Sequence, residues 1–213
     1  MKALLPLCLL AAPAVAQTLE LPAECVPFAT VQQADCSVTT FMRCDGDPDG
    51  SVRAVASHAE GVSMINLFSR QWEWLDSDFL DYREQLAETV DPIDIHALAQ
   101  GQDSWDFTTD SALYGVARYE GEESLTGQSR MLDGFEMLET RYRITGTDAD
   151  GVGFFRASGT EWLVPELGIL LGGESLVGMD GEKPEPRDFT PVAIATPGAA
   201  GFLSTVPTDG CTD

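Results

Sequence analysis

Asp45-Gly-Asp47-Pro-Asp49-Gly50 is the stretch whose residue types come nearest to a recognised chemistry. Carboxylates at the first, third and fifth positions with glycine at the sixth reproduce the first half of a Ca²⁺ loop. The second half fails. The twelfth position is Ala56 where a bidentate glutamate is needed, no helix precedes the loop, and Pro48 restricts its backbone. Asp45, Asp47 and Asp49 are thus a weak Ca²⁺ candidate inside what reads as a turn, and no metal is assigned. The other chemistries find less. There is no Gly-x-Ser-x-Gly; Gly173-Glu-Ser175-Leu-Val-Gly178 has the wrong spacing and sits among turn residues. Neither a phosphate loop nor a dinucleotide fingerprint occurs. His58 and His96 share no spacing that would make a metal pair. No catalytic residue is assigned, no cofactor is expected, and the reading leans away from an enzyme.

Cysteine and charge set the compartment and the excluded partners. Residues 1–16 read as a signal peptide: Lys2, an apolar run from Ala3 to Ala12, and the small-x-small signal Ala14-Val15-Ala16. Cys8 lies inside the apolar run, which argues against a lipoprotein. Residues 17–213 then form one domain in a periplasmic or secreted setting, with no membrane-spanning segment after cleavage. Cys25, Cys36, Cys44 and Cys211 remain, an even count that predicts two disulfides. Ser37–Arg43 reads as a strand, which sets Cys36 and Cys44 roughly 26 Å apart and excludes that pair. Cys211 therefore joins Cys36 or Cys44, with Cys25 taking the other. The formal charge of −23 repels phosphate backbones and anionic headgroups, so nucleic acid is excluded as a partner.

The elements that would position any site are mostly strands. Residues 17–35 read as a loop-like lead-in. Strands are predicted at Ser37–Cys44, at Ser51–Ala59, and over Val62–Leu75 as two short strands or one bent one, with Trp72 and Trp74 on one face. Residues 76–101 read as a helical insert: Phe79, Tyr82, Leu86 and Val90 fall at helical spacing, and Asp91-Pro92 opens a second short helix that Gly101 ends. Strands resume with Trp105 and Phe107 on one face. Ala112–Tyr119 follows, then a turn at Glu120–Glu123. Gln128–Gly173 is the most regular part, with hairpin signals at Asp133-Gly134 and Asp150-Gly151 and a break at Pro165. A loop-rich tail follows. About ten short strands at hairpin spacing predict a mainly β fold with a helical insert. A curved antiparallel sheet, half-barrel or barrel-like, is the leading form and a β-sandwich the alternative.

The segments Gly159-Thr-Glu-Trp-Leu-Val-Pro-Glu-Leu-Gly168 and Leu132-Asp-Gly-Phe-Glu-Met137 resemble stretches of periplasmic half-barrel proteins of the lipoprotein-carrier type. The resemblance covers about 45 residues, Gln128–Gly173. It implies a curved sheet with an apolar concave face and transfers no catalytic residue. The cystines, the insert and the acidity depart from it. The function expected is non-catalytic binding of an apolar small molecule or an envelope protein, with Trp72, Trp74, Trp105 and Trp162 as lining. Two other readings stand beside it: an interaction protein with a filled core, and a hydrolase whose carboxylates meet only in space.

Overall fold

The computed structural model describes residue 19, residues 21–179, residues 181–208 and residue 211. The predicted leader lies outside the described residues. The strands are β1 (Cys25–Gln33), β2 (Val38–Cys44), β3 (Val52–His58), β4 (Gly61–Phe68), β5 (Trp74–Asp78), β6 (Arg83–Asp91), β7 (Gln102–Ser111), β8 (Gly115–Leu132), β9 (Phe135–Asp148), β10 (Gly153–Val164), β11 (Ile169–Met179), β12 (Glu185–Asp188) and β13 (Pro191–Ala195). They form one antiparallel sheet in which β1 to β12 follow chain order and β13 returns beside β1. A single sheet replaces the sandwich alternative and agrees with the curved form.

The sheet does not close as a continuous ladder. Its two edge strands, β12 on β11 and β13 on β1, are joined by only Phe189 and Thr190. Phe189 N donates to Gly173 O at 3.1 Å, and Ala34 N donates to Thr190 O at 3.0 Å. One extended segment thus spans from one edge to the other. The curl lets Ala29, Val31 and Ile194 share a core with Met137, Leu163 and Ile169. The tail covers the other side of β1: Leu203 N donates to Thr30 Oγ1 and Thr208 N to Gln32 Oε1, each at 3.0 Å. Buried Thr30 and Gln32 are therefore satisfied by tail backbone. Disulfides Cys25–Cys44 and Cys36–Cys211 fix this end, one of the two pairings left open by strand geometry.

Four expectations are corrected. The lead-in contains β1, in register with β2 from Cys25 opposite Cys44. The insert at 76–101 is mostly strand: Asp76–Asp78 pairs with Arg83–Gln85 around a turn where Leu80 takes φ 71. Only Ile95–Leu98 is helical (α1), capped by Asp94, whose side chain accepts from His96 N at 2.8 Å. The apparent helical spacing of Phe79, Tyr82 and Leu86 lost to pairing along both edges of β5–β6, the usual override of local propensity by tertiary contacts. Trp72 does not share a strand face with Trp74; it lies in the β4–β5 turn at φ 80. Glu120–Glu123 is not a turn but the middle of β8. Gly121, read as a breaker, is instead a gap: a Cβ there would overlap the Trp105 indole. The Asp133-Gly134 turn matches its sequence signal, with φ of 49 and 93 at the two positions.

Candidate functional site

Register along β7–β11 stacks the inward side chains in layers. Phe107, Tyr119 and Gly146 lie across from one another, and Trp105, Gly121, Ile144 and Ala157 form the next layer. Below them run Asp103, Glu123, Tyr142, Gly159 and Ser175. Thr140, Glu161 and Gly172 come next, followed by Leu138, Leu163 and Leu170. The opposite face is charged and wet, with Arg118 on Asp106 and Arg143 on Glu122. Alternation of period two therefore delivers two glutamates, Glu123 and Glu161, to the apolar side.

Those glutamates meet. Glu123 is 2% exposed. Its carboxyl accepts from Thr140 Oγ1 and hydrogen-bonds to the Glu161 carboxyl. A hydrogen bond between two carboxyls requires one of them to carry the proton. Burial pushes Glu123 up to about 7, opposed by the Thr140 and Glu161 hydrogen bonds and assisted by nearby Asp103. Burial and then the Glu123 charge push Glu161 well above the carboxylate range. Burial also pushes the Tyr142 phenol up to about 12, though its hydrogen bond to Ser175 Oγ at 3.0 Å pulls the other way. Among the described residues, no ion pair reaches Glu123 or Glu161.

The pair forms one wall of a cavity of about 160 Å³. Trp72, Trp74, Trp105, Phe107 and Tyr142 supply the aromatic walls. Three separate devices aim the tryptophans. Ser69 pins the turn under Trp72 by accepting from Gln71 N and Glu73 N, and Trp72 stacks on Phe68 at 4.4 Å. Trp74 donates its indole Nε1–H to Ser77, which in turn donates to Asn66 Oδ1. Trp105 rests over Gly121, and its buried Nε1–H has no hydrogen-bond partner. α1 closes this end: Ile95 N donates to Gln71 O at 3.0 Å, and Asp94 N donates to Asp103 Oδ2 at 2.8 Å.

The remaining predicted site residues lie elsewhere. Trp162 points to the other face of β10 from Glu161, with the Arg130 guanidinium 4.4 Å above its ring. The candidate Ca²⁺ loop is the β2–β3 turn, where Asp47 takes Arg53 Nε at 2.7 Å. That ion pair uses the central carboxylate of the loop. No group of three metal-ligating side chains occurs among the described residues. His58 lies on β3 and His96 is exposed on α1. A larger hollow of about 830 Å³ lies across the outer face of β8–β12. Its walls mix Arg141, Arg143 and Arg187 with Glu122, Glu174 and Asp188, so its charges offset one another.

Sequence reasoning did not single out Glu123, Glu161, Thr140 or Tyr142. One signal was present: Glu161 shares strand parity with Leu163, a charge at a core-facing position. Glu123 was hidden by the misread turn. No protein-family model, curated protein or solved structure matches the chain.

Proposed function

We propose that this protein is an extracytoplasmic binding protein without catalytic activity, taking a small molecule into the aromatic cavity on the concave face of its sheet. One observation carries this reading: Trp72, Trp74 and Trp105 come from a turn and two strands and converge on the same hollow. The two disulfides and the sequence of the leader support the compartment. The resemblance to half-barrel carriers supports an apolar concave face, but the size of the cavity alters the ligand. Typical ligand pockets hold roughly 300–1,000 Å³. A dry apolar cavity of ~150 Å³ admits benzene, so this hollow, at about 160 Å³, takes a small compact molecule of that order rather than an acyl chain. The test is NMR of the tryptophan indole N–H signals with benzene, choline and acetate as probes. Shifts confined to Trp72, Trp74 and Trp105 support the reading. Silence with all three probes overturns it.

A second reading, hydrolysis by the Glu123–Glu161 pair, is favoured by the shared proton itself. The direct hydrogen bond is closer than the ~5 Å that retaining glycosidases leave between carboxyls. The cavity is also too small for a polymer. Hydrolytic turnover that disappears in both Glu123→Gln and Glu161→Gln would establish this alternative.

A further inference from the structure

We propose that the ligand of this cavity is a small organic ammonium ion bearing an oxygen acceptor, held between the Glu123 and Glu161 carboxyls and the surrounding aromatic faces. This rests on the cavity-binding reading above and names its ligand class. Three observations converge. Two carboxyls, the buried Glu123 and the half-buried Glu161, line the same hollow with no lysine, arginine or histidine of the described residues paired to either. The rest of the wall is aromatic, from Trp72, Trp74, Trp105, Phe107 and Tyr142. Trp105, only 7% exposed, lines the same hollow with an unpartnered Nε1–H.

Each observation specifies part of the guest. Carboxyls crowded together in an apolar site cannot both ionise alone, but a cation between them supplies the missing counter-charge. Aromatic faces attract cations through the ring quadrupole, tryptophan most strongly. The spare indole N–H asks for an acceptor, which a hydroxyl or carbonyl on a short arm provides. Metal ions fit poorly, since two carboxyls among aromatic rings lack the six or more oxygens that Ca²⁺ takes. Anions are repelled by both glutamates and by the acidic surface, which also concentrates cations at the mouth.

Binding then releases the shared proton, because the ammonium favours both carboxylates. The titratable groups facing the pair are Asp103 from β7 and Tyr142 from β9, both acids, so no basic group of these strands substitutes for the ligand. Affinity for a cation therefore rises with pH, whereas affinity for a neutral guest does not.

Calorimetric titration of the intact protein at about 0.15 M salt tests this, with choline and its neutral carbon isostere as probes. At pH 8 choline is expected to bind about tenfold or more tightly than the isostere. Repeating the titration in buffers of different ionisation enthalpy is expected to show proton release with choline only. Glu161→Gln is expected to remove the preference for choline over the isostere. Binding of the isostere as tight as choline, or choline binding without proton release, overturns the ammonium assignment and leaves the cavity reading intact. If neither probe binds and benzene also fails, the cavity reading itself falls. The proton-release measurement needs no variant, so a misfolded Glu161→Gln does not blunt the test.

Discussion

Two places in this sheet bury carboxyls, and they treat them differently. Glu84 on β6 is 6% exposed and accepts from two hydroxyls, Thr109 Oγ1 and Tyr119 OH, the latter at 3.1 Å. Burial, then the Glu84 charge beside it, push the Tyr119 phenol upward, which keeps it a donor. Glu123 has one hydroxyl donor, Thr140, and its other neighbour is a second acid. Both sites lie on the inner face of one sheet among aromatic rings. What differs is the supply of donors. A buried carboxyl given two hydroxyls is a finished structural unit, whereas two carboxyls sharing one proton leave an electrostatic demand that the fold does not meet.

The comparison breaks most visibly at Glu84. Removing both donors in Thr109→Val/Tyr119→Phe is expected to cost about 3–6 kcal/mol, since each hydrogen bond to a buried charge contributes ~1.5–3 kcal/mol. Urea unfolding measures this, and a loss below ~1 kcal/mol would mean Glu84 finds other partners. The next largest effect is pH-dependent. Glu123 has a folded pKa raised to about 7. Between about pH 4.5 and 7 the folded chain therefore holds more protons than the unfolded one, and stability falls as pH rises through that window. Glu123→Gln removes this penalty, so it is expected to gain on the order of 3 kcal/mol over the parent at pH 8 and almost nothing at pH 4.5. Equal unfolding midpoints for the two proteins at both pH values would show that the carboxyls are hydrated after all.

Thr140→Val sharpens the contrast on a smaller scale. The Thr140 hydroxyl favours the charged form of Glu123, so its loss is expected to cost about 1–2 kcal/mol at pH 8 and less at pH 5. A pH-independent loss would mark Thr140 as ordinary packing. The smallest change is Tyr142→Phe. It loses the 3.0 Å bond to Ser175 and about 0.5–1.5 kcal/mol. Its Glu123 titration, followed by carboxyl NMR, should move little, because burial rather than Tyr142 dominates that shift.

Much of the frame was readable along the chain. Asp133-Gly134 specified its turn because few other dipeptides tolerate two positive φ values in succession. Trp105 and Phe107 fell on one face because strand alternation is strictly local. The cysteine spacing left two pairings, and the structure takes the one joining Cys36 to Cys211. Misreadings came where a residue type carries two meanings. Gly121 looked like a breaker and serves as clearance for an indole. Phe79 to Val90 showed a helical period by coincidence, and Val90 is 71% exposed at the end of a strand.

By itself, the sequence determined a mainly β chain, its acidic surface and its disulfide count. These depend on local geometry, residue charge and counting. The tertiary structure alone decided that Glu123 and Glu161 touch. They are 38 residues apart, on strands separated by β9, and their meeting depends on the register of β8 on β9 and of β9 on β10. A one-residue slip in either pairing would turn one carboxyl to solvent, and no local pattern encodes that register at both strands together.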